Sequence, residues 1–150
     1  WLLTIVGDRS RDLEAVARLE ALIARHRLEG RIRSTGKISQ DCLATHYGRA
    51  DLFVLASHFE GYGMAYTEAL AHGLPVIGTT GGAIPATVPQ GAGVLVPPDD
   101  VKALANALRE IITRSDKRDS LAAAARESAE KFPTWRDSAK LFARAIEAVA

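Results

Sequence analysis

The chain has 150 residues, with nineteen basic against eighteen acidic side chains. That length suits one domain with a real core, and the near-cancelled charge gives no electrostatic reason to expect nucleic acid or an acidic membrane surface as partner. Cys42 is the only cysteine, so no intrachain disulfide can form and a reducing, cytoplasmic setting is expected, while no apolar run approaches the ~20 residues that span a bilayer.

The chain opens at Trp1, already inside an apolar run, and reads as a piece of a longer polypeptide. Leu2–Val6 is the first expected strand. Asp12–Arg27 follows as a helix whose Leu13, Val16, Leu19 and Ile23 form a core-facing stripe. Arg31–Thr35 is the next strand, and Ser39 caps a helix running to about Arg49, in which Cys42 is expected as a buried, inert thiol. Leu52–Leu55 is a third strand, and a helix-like run covers Met64 to Ala71. Pro75–Gly78 and Val94–Val96 complete the strands, with a short helix near Ala83 between them. Asp99 or Asp100 starts the clearest helix, with Val101, Leu104, Ala105, Leu108, Ile111 and Ile112 as its stripe. Asp116–Lys131 is alanine-rich and stops before Pro133. Thr134 caps a last helix, with Asp137 completing a capping box and a stripe of Trp135, Ala139, Phe142, Ile146 and Val149. Short apolar runs alternating with helices indicate an α/β fold with one doubly wound parallel sheet. The three closing helices exceed what one crossover needs and are expected to wrap a sheet edge or reach a neighbour.

Glu60-Gly61-Tyr62-Gly63-Met64-Ala65-Tyr66-Thr67-Glu68 is the most informative stretch. It joins a strand to a helix, and in an open parallel sheet ligands bind at that handover. A glycine-flanked helix start offers free N–H groups to an anion. With the helix starting near Gly63, Glu60 lies in the loop and Glu68 in the second turn, on the order of 10 Å apart at ~1.5 Å per helical residue. That is too far for a retaining-glycosidase pair at ~5 Å. It suits two grips on one long ligand with hydroxyls, a phosphate and more hydroxyls, as in a nucleotide sugar. Solvated surface carboxylates are the alternative.

Ser57-His58-Phe59-Glu60-Gly61-Tyr62-Gly63-Met64, followed by Glu68-Ala69-Leu70-Ala71-His72-Gly73-Leu74-Pro75-Val76-Ile77, resembles the E-x7-E segment of retaining GT-B glycosyltransferases, family 4 in particular. Leu3 to Gly7, Thr35-Gly36-Lys37-Ile38, Ala50-Asp51-Leu52-Phe53-Val54, Gly81-Gly82-Ala83-Ile84-Pro85 and Gly93-Val94-Leu95-Val96-Pro97-Pro98 are similar to further family blocks in the same order, covering nearly the whole chain. The resemblance implies a Rossmann-like domain, the C-terminal half of a GT-B fold with extra C-terminal helices. Residues 1–150 would form the nucleotide-sugar donor domain, lacking its first βα unit and the N-terminal acceptor domain. Glu60 would be catalytic and hold hydroxyls of the transferred sugar. Backbone N–H groups of Gly61, Tyr62, Gly63 and Met64 would face sugar and diphosphate. Glu68 would accept both ribose hydroxyls, and Gly36, Lys37 and Ile38 would contact the base.

The partners implied are a nucleotide-sugar donor and an acceptor sugar, lipid or small molecule held mainly by the absent domain. Any peripheral membrane contact is left to that domain as well. The Arg and Lys with which the family holds the diphosphate have no match here, and Ala86 stands where the family often has an acid. The fragment alone is expected to be inactive. No cofactor and no metal is expected, because the family meets the diphosphate with basic side chains and helix dipoles.

Other features carry weaker readings. His58, beside Glu60, invites a catalytic reading but reads as a loop residue. His72 before Gly73 reads as a helix end. Tyr62 is a packing residue or a sugar contact, and Gly81-Gly82 could approach a ligand. A nucleotide-sugar epimerase of the same architecture is the rival enzyme. A non-catalytic nucleotide-sugar-binding or receiver-like module is the other rival, although Asp8 is isolated and no strand-end lysine follows Val96.

Overall fold

The computed structural model describes residues 1–149. The chain forms two compact units, Trp1–Arg49 and Ala50–Ala150. In the first, strands β1 (Leu3–Val6) and β2 (Ile32–Gly36) pair in parallel, with helices α1 (Leu13–Arg25) and α2 (Gln40–Arg49) following them. In the second, β3 (Phe53–Val54), β4 (Val76–Thr79) and β5 (Gly93–Val96) form a parallel sheet in that order. Helices α3 (Met64–Ala71), α4 (Ile84–Thr87), α5 (Val101–Thr113), α6 (Ser115–Ala129) and α7 (Trp135–Glu147) complete it. All five expected strands form, but their ladders make two sheets rather than one.

Local sequence explains the helix starts. Asp12 accepts the Ala15 amide at 2.8 Å, and Asp100 accepts that of Ala103 at 2.8 Å. The Ser39 hydroxyl accepts the Cys42 amide at 3.3 Å. Thr134 and Asp137 make the reciprocal capping box that their spacing predicts. These bonds satisfy N–H groups that have no carbonyl within their own helix.

The core belongs to the second unit. β4 is buried along its whole length, so both faces of its sheet are covered. Ile77, Val96, Ala107, Ile111 and Leu121 form one cluster, lined by Leu52, Val54, Val94, Leu104 and Leu108. The α5 stripe therefore does its expected work through Leu104, Leu108 and Ile111, with Ala107 added, while Val101, Ala105 and Ile112 stay exposed.

Three expectations need correction. The α1 stripe is only half-covered, and Leu13 is exposed, because α1 lies over a sheet of just two strands. The α7 stripe buries nothing: Trp135 is 91% exposed, and Phe142, Ile146 and Val149 are also exposed. Periodicity makes that helix amphipathic but cannot supply a surface for it to cover. Cys42 is exposed on α2, since Leu43 and Tyr47, not Cys42, take that helix's covered side.

Candidate functional site

The carboxyl ends of β3 and β4 carry the segment of interest. The chain leaves β3 at Leu55, loops through 56–63 and enters α3 at Met64. Gly63 is the N-cap, with φ +86°, a left-handed conformation that glycine adopts without strain. It has no side chain with which to cap the helix. Its carbonyl takes the Tyr66 and Thr67 amides at 3.0 and 3.3 Å. The Met64 and Ala65 amides have no carbonyl one turn earlier in α3, so they are the donors a ligand can use. The helix dipole adds partial positive charge at that end.

Glu60 lies in the loop and Glu68 in the second turn of α3, as the spacing predicts. Glu60 is half-buried, and its Oε1 accepts the Ser57 hydroxyl at 2.7 Å. Its backbone carbonyl accepts the Ala83 amide at 2.9 Å. Glu68 is also half-buried, and its carbonyl faces His72 Nδ1 at 2.9 Å. Gly61 is exposed, as are Tyr62 and Met64. Gly36, Lys37 and Ile38 lie in the first unit, at the end of β2, where Gly36 has φ +73°.

The loop is pinned to the turn that follows β4. Thr79, 2% exposed, donates its hydroxyl to the Ser57 carbonyl. Thr87 donates to the Tyr62 carbonyl. Gly81 runs directly against the backbone of His58, and Gly82, at φ +61°, against that of Glu60. Both glycines are thus explained by backbone meeting backbone. His72 is the C-cap of α3, and Gly73 follows it at φ +73°, so the helix-end reading holds. His58 is not a bare loop residue: its Nδ1 lies 3.4 Å from Asp99 Oδ2, and both side chains are exposed. Asp99 itself has φ +62°.

Residue pattern alone assigned no role to Ser57, Thr79, Thr87 or Tyr66. Ser57 stands three residues before Glu60, which is a weak local signal. The other three act across the sheet or between turns, and only the fold pairs them with the loop.

A hollow of about 160 Å³ opens at the ends of β4 and β5, lined by Ala56, Thr79, Val96, Asp99, Asp100 and Leu104 among others. A larger one of about 350 Å³ lies in the first unit between α1 and its sheet. Glu60 and Glu68 line neither. Among the described residues, no three His, Cys, Asp or Glu side chains gather as a metal would need. No helix among them is long and apolar enough to cross a membrane.

The comparisons with known proteins agree with this topology. The chain is 35% identical over 106 residues to the sulfoquinovosyl transferase SQD2 of Arabidopsis thaliana, matching 68% of this chain and 21% of that protein. It is 34% identical over 139 residues to a D-inositol 3-phosphate glycosyltransferase of Geodermatophilus obscurus, matching 92% of this chain and 30% of that protein. The chain thus spans no more than a third of either relative's length. Among solved structures, a sucrose-phosphate synthase from Thermosynechococcus elongatus superposes with a TM-score of 0.83 at 31% identity, over 98% of this chain and 39% of that one. HepE of Anabaena, solved with UDP-glucose, superposes with a TM-score of 0.79 at 26% identity, over 87% of this chain and 36% of that one. The epimerase alternative finds no support among these relatives. The family model of glycosyl transferases group 1 matches residues 1–128, and the chain belongs to that family.

Proposed function

We propose that this chain is the donor-binding part of a retaining glycosyltransferase that moves a sugar from a nucleoside diphosphate to an acceptor hydroxyl. The observation that carries the reading is the start of α3. The Met64 and Ala65 amides stand at the carboxyl end of a parallel sheet, with Glu60 before them and Glu68 a turn beyond. Amides and the helix dipole meet the anionic diphosphate. Glu60 holds hydroxyls of the transferred sugar, and Glu68 accepts the ribose pair. Gly36, Lys37 and Ile38 take the base. The protein's contribution is positioning and stabilisation of the departing diphosphate, with basic side chains outside this chain and no resident metal.

The acceptor, whether sugar, lipid or small molecule, is held by a second domain.

The test is a titration of the full-length enzyme with UDP-glucose and GDP-mannose. Charge-assisted hydrogen bonds are worth ~1.5–3 kcal/mol, so Glu68→Ala weakens binding of the accepted donor by roughly ten- to a hundredfold. Unchanged donor affinity removes Glu68 from the site.

A further inference from the structure

Tyr66 is fully buried in α3, yet its bonds lead out of the helix to both ends of the segment that carries Glu60. At the first end, β3 stops. The Leu55 amide is used by the Ile77 carbonyl at 3.0 Å, and the Leu55 carbonyl accepts the Tyr66 hydroxyl at 2.5 Å. At the second end stands Gly63, where a Cβ would meet the Tyr66 ring at 2.9 Å. The ring also fills the space beside Gly78 of β4, where a Cβ would lie 2.8 Å from it. Phe53 supports it edge-on, with centroids 5.7 Å apart at 86°. One side chain therefore joins the residue just past one strand, the middle of the next and the first turn of α3. Glycine at 63 and at 78 is what lets so large a ring lie there.

We propose that Tyr66 is the positioning residue of the donor site. It holds Leu55 and Gly63 at a set separation, and so sets where the Glu60 carboxylate and the Met64 and Ala65 amides stand. This rests on the donor reading above. Tyr66 itself touches no ligand. Its hydroxyl is a donor at neutral pH, as any tyrosine's is, and burial, then the charge of Glu60, push its pKa up further, to about 12.

The experiment compares Tyr66→Phe with the unaltered full-length enzyme, using UDP-glucose and uridine monophosphate as probes, or GDP-mannose and guanosine monophosphate if the enzyme takes that donor. The monophosphate lacks the sugar and the second phosphate, so it relies on Glu68 and the base contacts rather than on the Glu60 segment. One hydrogen bond lost at the strand end predicts a dissociation constant for the nucleotide sugar raised about fivefold, and for the monophosphate less than about twofold. Equal weakening of both probes, or of neither, overturns the proposal, because a merely structural Tyr66 would not distinguish them. Phe53→Leu keeps the Tyr66 hydroxyl and removes the ring's edge-on support. It should show the same selectivity in smaller measure, and equal effects on the two probes there count equally against the proposal. If the unaltered enzyme binds no nucleotide sugar, the donor reading itself fails and the role of Tyr66 falls with it. Binding that Tyr66→Phe leaves intact refutes Tyr66 alone.

Discussion

Gly81→Ala places one methyl group where the strand-end loops touch. A Cβ at Gly81 would lie 2.8 Å from the carbonyl carbon of His58 and closer still to its oxygen, against an ordinary contact of 3.4 Å or more. The shortfall is at least about 0.6 Å, and the neighbours are backbone atoms that no rotamer change can move aside. Gly81 has no positive φ, so the cost is steric alone. Overpacking of this kind costs ~1–3 kcal/mol, and backbone against backbone belongs at the upper end. For a chain this long ~3 kcal/mol lowers the melting temperature by about 6–12 °C. His58 is two residues from Glu60, whose carbonyl is tied to Ala83 in the same turn. Relief of the clash therefore moves the Glu60 segment, and binding of the nucleotide sugar proposed as donor falls by about tenfold or more. Differential scanning calorimetry and a calorimetric titration measure the two effects. A Gly81→Ala protein that melts with the parent and binds the donor equally well refutes the argument that these loops set one another's position.

Gly48 lies inside α2 with nothing within 4 Å of where a Cβ would stand, so Gly48→Ala should stabilise the protein by about 0.5–1 kcal/mol in urea titrations. Tyr66 binds its proton more tightly folded than unfolded. Its contribution is complete below the unfolded pKa of ~10 and is lost as pH rises toward about 12. Stability measured from pH 9 upward should therefore fall more steeply in the parent than in Tyr66→Phe, and parallel curves would contradict the buried, protonated hydroxyl. Thr134→Ala removes the α7 cap and about 1 kcal/mol of helix stability, read as lost helicity in far-UV circular dichroism. Asp137 is held below the usual carboxylate range by the Thr134 hydroxyl and then by the Thr134 amide. Its contribution is present above the ordinary carboxylate pKa and is lost as acid protonates it, so α7 helicity should decline on that side in the parent and less in Thr134→Ala.

Local chemistry made much of this protein legible before any coordinates. Strand positions followed from short apolar runs between turn residues. Helix starts followed from Asp12, Asp100 and the Thr134–Asp137 pair, because a cap acts within three residues of itself. Glu60 before α3 and Glu68 within it followed from one glycine-marked junction. What reached across the fold could not be read that way. An apolar stripe states that a helix has a face to cover, not whether a surface meets it, and so α7 and Leu13 lie exposed. Strand pairing depends on which edges meet, and two ladders formed where one sheet was expected. Tyr66, Thr79 and Thr87 acquire their roles only when residues eleven to twenty-five positions away are folded against them. The elements and the chemistry at their ends are written in the chain, since those interactions are local. Which side chains hold the Glu60 segment in place is settled on folding, because hydrogen-bond reach is a distance in space and not along the chain.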